Sequence, residues 1–331
     1  MLFRSRIAVI GGGSWATALV KILQENHRDI AWYIREEYII NHIKQHQHNP
    51  EYLSMVQLKL DKLFLTNCID DAVENSQIIL VVTPSAFIKS ALEGLSVPLD
   101  KKIVVSAIKG MIPDENLVMA DFFHQKYKVP YDSFCVIAGP SHAEEVAMER
   151  LSYLTVACPD VKKAAKFASA IENSFIKVTT SDDIWGTEYS AVLKNVFAVA
   201  SGICAGLGYG DNFQAVLVSN AVQEIERFVK AVHPIERDIK SSAYLGDLLV
   251  TAYSQFSRNR SFGMMVGKGY SVKNAQLEMR MVAEGYYAVK CIKQVNDKYK
   301  VHMPITDAVY NILYEKISPS LEIKLLTEML R

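Results

Sequence analysis

The chain has 331 residues, half of them hydrophobic, with 36 Lys+Arg against 36 Asp+Glu and a formal net charge of zero. That length implies about two domains of roughly 100–200 residues each, and the neutral balance excludes a global basic field for nucleic acid or anionic membrane. The five cysteines, Cys68, Cys135, Cys158, Cys204 and Cys291, are scattered and never form a C-x-x-C pair, which argues against a disulfide framework or a metal site and for reduced structural thiols of a cytoplasmic protein.

At the N-terminus Arg4 and Arg6 precede an apolar run, as in a secretory signal, but Gly11 to Gly13 cut that run after Ile10. A signal peptide needs a longer apolar middle and a cleavage site, so Arg6–Ile10 reads as a strand and Ser14–Glu25 as a helix. Asp29–Ile34 follows as a strand and Glu37–Gln45 as a helix. Leu63–Thr66, Ile78–Thr83, Ile103–Ile108, Phe134–Ala138, Tyr153–Cys158 and Phe175–Thr179 are further strands, with helices over Asn116–Lys126 and Val161–Asn173. Strands alternating with helices predict a Rossmann-type, mainly parallel, doubly wound sheet.

Near Trp185 the pattern changes. Thr187–Gly206, Phe213–Val232, Leu245–Phe256, Met281–Tyr299 and Pro304–Glu315 carry helical apolar spacing and no strand runs. The reading is an α/β domain over 1–184 and an all-α domain over 185–331. The most membrane-like stretch, Ala191–Leu207, contains Lys194 and Asn195 and falls short of the roughly 20 apolar residues a span needs, so no integral membrane segment is expected. Small residues around Ala198, Gly202 and Ala205 permit tight helix contacts, within one chain or across a homodimer.

Gly11-x-Gly13-x-x-Ala16 lies between a predicted strand and a predicted helix, the context of a dinucleotide-binding turn. Gly11 allows the tight turn, Gly13 lets the backbone approach a pyrophosphate, and the helix N-terminus supplies N–H groups and partial positive charge. Arg35, at the end of the second strand, suits a 2′-phosphate and favours NADPH. Glu36 beside it suits ribose hydroxyls, so NADH stays open.

Four further segments place polar residues in apolar or small surroundings. Lys109 in Ser106–Gly110 follows a strand and is aimed at the cofactor crevice. Gly139, Ser141 and their neighbours in Ala138–Ala143 offer N–H groups and a hydroxyl, or a plain turn with Ser141 as a helix cap. Lys194 has Ser190, Ala191, Phe197 and Ala198 at helical spacing, so it either snorkels outward or lines a pocket. Asp247 opens an apolar helix, and Ser257, Arg258, Asn259 and Arg260 cluster donors at a helix end or loop, suiting a phosphate.

Together these segments resemble the bacterial NAD(P)-dependent glycerol-3-phosphate dehydrogenases. The matching stretches are GGGSWATA, SAIKG, AGPSHAEEVA, EYSAVLKNVFAVASGICAGLGYGDN, GDLLVTAYSQFSRNRSFG and VAEG, in the family's order over nearly the whole chain. Ala16 stands where the family commonly has Gly, and His142 where it has Phe. The resemblance implies reversible reduction of dihydroxyacetone phosphate to sn-glycerol 3-phosphate for glycerophospholipid synthesis. It implies cofactor contacts from Ser14, Trp15, Arg35, Lys109, Ala143, Arg258, Val282 and Glu284. It implies substrate contacts from Lys109, Gly139, Ser141, Lys194, Asp247, Ser257, Arg258 and Asn259, with Lys194 as proton donor and acceptor. A related 2-hydroxyacid or sugar-acid dehydrogenase, and a dinucleotide-sensing module without turnover, are the competing readings.

Overall fold

The structure, a computed structural model, describes residues 6–26, 28–279 and 283–331. Its first half alternates strand and helix. β1 (Ile7–Ile10), β2 (Ile30–Tyr33), β3 (Leu63–Thr66), β4 (Ile78–Val81), β5 (Ile103–Ser106), β6 (Phe134–Ala138), β7 (Ser152–Ala157) and β8 (Ile176–Ser181) form one sheet in the order β3-β2-β1-β4-β5-β6-β7-β8. Every pairing is parallel except β6 with β7. β1, β2 and β4 are buried at every position, as expected of parallel strands covered on both faces by helices. The connecting helices include α1 (Ser14–Glu25), α2 (Glu37–His46), α3 (Ile69–Glu74), α4 (Ile88–Ala91), α5 (Met119–Tyr127), α6 (Ala143–Ala147) and α7 (Val161–Ile171). The strand order reverses at β1, between β2 and β4, and β1 runs into the glycine turn there; doubly wound sheets bind ligands at this kind of switch point.

The second half is helical: α8 (Ile184–Gly206), α9 (Asp211–Val232), α10 (Asp247–Tyr253), α11 (Arg258–Gly267), α12 (Val272–Glu278), α13 (Glu284–Tyr299), α14 (Pro304–Leu313) and α15 (Pro319–Thr327). The chain divides into two compact units, the described part of Met1–Ile108 with Met119–Ile184, and Lys109–Val118 with Trp185–Arg331. The segment Lys109–Val118, which the sequence reading assigned to the α/β domain, thus belongs with the helices. Its backbone is held there: the Asn195 amide donates to the Lys109 carbonyl at 2.7 Å, and Ile112 bridges Leu117 in a small antiparallel turn.

Two local expectations change. The stretch expected as one helix over Leu245–Phe256 is a π-helical turn, Ser242–Gly246, followed by α10. Ser257–Arg260, expected at a helix end or loop, is a helix start: the Ser257 hydroxyl caps α11 by accepting from the Arg260 N–H at 3.3 Å.

α8 is longer than its periodicity predicts and is 23 residues long, enough in length and composition to cross a membrane, but 89% of its most apolar window is buried. Its small-residue face packs within the chain. A methyl group on Gly202 would overlap the Arg260 carbonyl, and one on Gly263 would overlap the Val199 carbonyl. A methyl on Gly206 would lie 2.5 Å from the Met264 oxygen. These glycines let α8 and α11 approach backbone to backbone, because any side chain would have to displace main-chain atoms.

Glu224 of α9 shows how the helices are joined. Its carboxylate is fully buried and accepts from the Ile305 and Thr306 N–H groups at 2.9 Å each and from the Thr306 hydroxyl at 2.6 Å. These donors sit in the first turn of α14, where helix N–H groups lack partners of their own. Burial pushes the Glu224 pKa up to about 7, against the pull of the Thr306 and Ile305 donors. Replacing Glu224 with alanine strands two buried N–H groups, and we expect a loss of about 2–4 kcal/mol, measured as a lower urea midpoint at neutral pH.

Candidate functional site

In the first unit the site is built on the glycine turn. Gly11 has φ +127°, and a Cβ there would lie 3.0 Å from the Thr83 hydroxyl and press on the Val82 carbonyl. Only glycine suits that position. Gly13 differs: its φ is −79° and a Cβ would meet no atom within 4 Å. The structure itself does not require a missing side chain there; the open space beside the backbone is what a ligand's close approach requires. Gly13 stands at the cap of α1 and, unlike Ser257 on α11, offers no side chain to its first N–H groups. This combination fits a dinucleotide pyrophosphate held by helix N–H groups.

Ser14 is buried and Trp15 half-buried in the first turn of α1, and Ala16 is fully buried beneath it. Arg35 is exposed at the end of β2 and pairs with its neighbour: Nη2 lies 2.7 Å and Nε 2.9 Å from the Glu36 carboxylate. The two groups that sequence reading offered as competing ribose and phosphate contacts therefore neutralise each other. Farther along, Gly139 has φ +113°, and a Cβ would lie 2.6 Å from the Tyr153 carbonyl, so glycine is again required. The Ser141 hydroxyl donates to the Gly139 carbonyl at 2.9 Å. It does not cap α6, whose cap position is His142, with Ala143 the first helical residue.

In the second unit three ionic side chains meet. Asp247, delivered by the π-helical turn to the start of α10, is almost wholly buried. The Lys194 ammonium on α8 donates to its Oδ1 at 2.5 Å, and the Lys109 ammonium lies 3.0 Å from its Oδ2 and 3.3 Å from Oδ1. Lys194 also donates to the Thr251 hydroxyl at 2.9 Å, and that hydroxyl donates to the Asp247 carbonyl at 2.6 Å. Lys194 is 5% exposed, which settles its two readings: it does not snorkel outward. Lys109, with its side chain 19% exposed, is the accessible edge of the group.

The electrostatics follow from the arrangement. Burial drives the Lys194 pKa down to about 7; Asp247 opposes this and Lys109 reinforces it. Burial alone would raise Asp247, but the two ammonium groups more than offset it and hold the carboxyl below its usual value. Asp247 therefore stays ionised between the two amines, and the lysine on α8, with its pKa lowered to about 7, is the member that changes charge near neutrality.

The remaining candidates lie on α11 and α13. Arg258 is exposed at the first position of α11, and Asn259 is buried beside it. The Asn259 side-chain oxygen accepts from the Gly285 N–H at 2.9 Å, so only its NH2 donors are of use to an anion. Glu284 is the first residue of α13; Val282 lies outside the described residues. The sequence reading missed the roles of Thr251, which fixes one proton of Lys194, and Asn195, which holds the Lys109 backbone. Both sit one residue or one helical turn from a charged residue of the cluster, and that proximity is the only signal the sequence carried.

Comparison with known proteins follows the same division. The model of the NAD-dependent glycerol-3-phosphate dehydrogenase N-terminus matches residues 6–164, and that of the C-terminus matches residues 183–324. The glycerol-3-phosphate dehydrogenase [NAD(P)+] of Clostridium botulinum (strain Eklund 17B / Type B) is 34% identical, over 97% of this chain and 96% of its own. The enzyme of the same name from Staphylococcus carnosus (strain TM300) is 32% identical over 97% of each. The crystal structure of glycerol-3-phosphate dehydrogenase from Coxiella burnetii superposes with a TM-score of 0.90 at 27% identity, covering 98% of this chain and 99% of that one. A D-mandelate dehydrogenase shares the fold alone, with a TM-score of 0.62 at 18% identity. With both family models matched in order across the Rossmann-type and helical units, the chain belongs to the NAD-dependent glycerol-3-phosphate dehydrogenase family.

Proposed function

We propose that this chain is an NAD(P)-dependent glycerol-3-phosphate dehydrogenase that interconverts dihydroxyacetone phosphate and sn-glycerol 3-phosphate, with Lys194 as the proton donor and acceptor. The observation that carries the reading is the buried Lys194–Asp247–Lys109 group. When bound, the dinucleotide supplies a hydride to C2 of the ketone. Negative charge then develops on the carbonyl oxygen, and the protein must stabilise and protonate it.

Lys194 is arranged for that task. Two of its ammonium protons are committed, one to Asp247 Oδ1 and one to Thr251 Oγ1. The Thr251 hydroxyl gives its own proton to the Asp247 carbonyl, so its oxygen is oriented to accept. The third ammonium proton is thereby fixed in direction, and it is the one transferred. The neutral amine left behind keeps both hydrogen bonds and presents a lone pair along the same line, which is what the reverse oxidation needs. A pKa near 7 makes both forms accessible at neutral pH. Lys109 is the second preorganised cation for the developing charge. Asp247 holds both ammonium groups in place.

We assign the substrate phosphate to Arg258 and to the amide donors of Asn259, with Ser257, Gly139 and Ser141 completing the substrate contacts. Guanidinium groups bind phosphate oxygens in pairs, and binding a remote phosphate positions the reacting carbon. The N–H groups of the glycine turn, with Ser14, Trp15, Arg35 and Ala143, are assigned to the dinucleotide, NADPH or NADH. We place the enzyme in the cytoplasm, where its product enters glycerophospholipid synthesis.

The test is the loss of reduced-nicotinamide absorbance with dihydroxyacetone phosphate and, separately, with unphosphorylated dihydroxyacetone. We expect rapid oxidation with the phosphate ester and a kcat/KM at least about 10³-fold lower without it, since loss of a doubly hydrogen-bonded anion forfeits several kcal/mol. Equal rates would remove Arg258 from its role. Failure with both, alongside turnover of a 2-hydroxy or 2-keto acid, would favour the hydroxyacid reading that the shared D-mandelate dehydrogenase fold leaves available.

A further inference from the structure

Three side chains that the sequence reading passed over converge behind the glycine turn. The Trp32 indole N–H of β2 donates to the Gly11 carbonyl at 2.7 Å. The Asn49 side-chain NH2 donates to the Gly12 carbonyl and to the Thr17 hydroxyl, each at 3.0 Å. The Thr17 hydroxyl donates to the Gly13 carbonyl at 3.0 Å, alongside the helical bond from the Thr17 N–H at 2.9 Å. Trp32, Asn49 and Thr17 are all fully buried.

A trans peptide is planar, with its C=O and N–H directed oppositely. Fixing three successive carbonyls therefore fixes three successive N–H groups. If Trp32 holds the Gly11 carbonyl inward, the Gly12 N–H faces the other way. Asn49 does the same for the Gly13 N–H, and Thr17 for the Ser14 N–H. Asn49 suits this task because its hydrogen-bonding capacity is full. Its oxygen accepts from the Glu51 and Tyr52 N–H groups at 3.0 and 3.2 Å, while both its protons are donated, so the amide cannot rotate without breaking several bonds. The side chain pins the loop after α2 to the turn before α1.

We propose that Trp32 and Asn49, with Thr17 as the relay between Asn49 and the helix, are positioning residues for the dinucleotide. They turn the carbonyls of Gly11 to Gly13 into the unit, so that the N–H groups converge on the pyrophosphate without reorganising on binding. Neither residue touches the ligand in this account; both act through backbone orientation. The inference rests on the assignment of the glycine turn to the cofactor.

The experiment measures the NADPH dissociation constant by fluorescence titration, with thermal unfolding of the same samples, for the wild-type enzyme and for Trp32→Phe, Asn49→Ala and Gln24→Leu. Trp32→Phe removes one N–H and keeps a buried ring. Gln24→Leu is the matched control. The Gln24 side chain is also buried, and ties the far end of α1 to the loop after α2, donating to the Lys59 carbonyl at 2.5 Å and accepting from the Lys59 N–H at 3.2 Å, but it touches no glycine carbonyl. We expect Trp32→Phe and Asn49→Ala to weaken NADPH binding about tenfold each, corresponding to about 1.4 kcal/mol, with kcat at saturating cofactor nearly unchanged. Gln24→Leu should lower the unfolding temperature and leave the dissociation constant within about twofold. Binding by Trp32→Phe equal to wild type, or weakening by Gln24→Leu as large as by Trp32→Phe, overturns the proposal even if Asn49→Ala does not fold. Wild-type enzyme that binds neither NADPH nor NADH overturns the cofactor assignment itself, a separate outcome.

Discussion

Replacing Lys194 with methionine is expected to lower turnover of dihydroxyacetone phosphate by roughly 10²–10⁴-fold, the usual contribution of a positioned general acid, and to leave NADPH affinity nearly unchanged. Methionine keeps the apolar stem on α8 and deletes only the ammonium. The variant should also lose a pH signature. Ketone reduction needs the protonated amine, so with a pKa near 7 its rate should fall about tenfold per pH unit above neutrality. Alcohol oxidation needs the neutral amine and should fall below neutrality instead. Opposite limbs in the two directions, both absent in Lys194→Met, would place the titrating proton on this side chain. Steady-state rates of the two half-reactions across pH 5.5–9 make the comparison; unimpaired turnover in the variant would reject the role.

The second large effect is expected from Asp247→Asn. The wild-type carboxylate lies between two ammonium groups, 2.5 Å from one and 3.0 Å from the other. Asparagine keeps the shape and one acceptor but removes the charge that permits two cations in a buried site. Breaking a buried ion pair from one side costs about 3–5 kcal/mol, so the urea midpoint should fall accordingly. Because Asp247 is held below its normal pKa of 3.8, its contribution is present above that value. It is lost as the pH falls through the lowered native one. The stability difference between wild type and variant should therefore be full at neutrality and shrink only in strong acid. Without the carboxylate the Lys194 pKa should drop further, moving the reduction limb to lower pH. A variant as stable as wild type, with its pH limb unmoved, would show that Asp247 does not hold the pair.

The consequences of these two substitutions differ because the residues do different things. In the proposed reaction Lys194 delivers a proton, whereas Asp247 lets two ammonium groups sit together. Lys109 is the accessible partner, held by its backbone as well as its side chain. That backbone tie explains why a residue following β5 works with the helices.

Much of this was legible in the amino-acid order. Apolar runs of strand length alternating with amphipathic helices predicted the Rossmann-type sheet, because burial on both faces leaves continuous hydrophobic strands. Gly11 and Gly13 marked a tight glycine turn between β1 and α1, since local backbone conformation is written in local residue types. The motifs at Lys194 and Asp247 likewise marked charged groups in apolar surroundings, where a charge needs a partner.

Other features were decided only when the chain folded. Whether Lys194 reached solvent or turned inward depended on Asp247 and Thr251, more than fifty positions away, and helical spacing cannot encode a partner at that distance. The small residues of α8 left a contact within the chain and a contact between copies equally open; the approach of α11 to Gly202 and Gly206 filled that face from within the chain. The carbonyls of Gly11 and Gly12 were oriented by Trp32 and Asn49, neither of which carries a motif. Residue types set periodicity and backbone preference locally. Proton affinity, charge pairing and the direction of a peptide plane are properties of neighbours in space, and three-dimensional packing alone chose those neighbours.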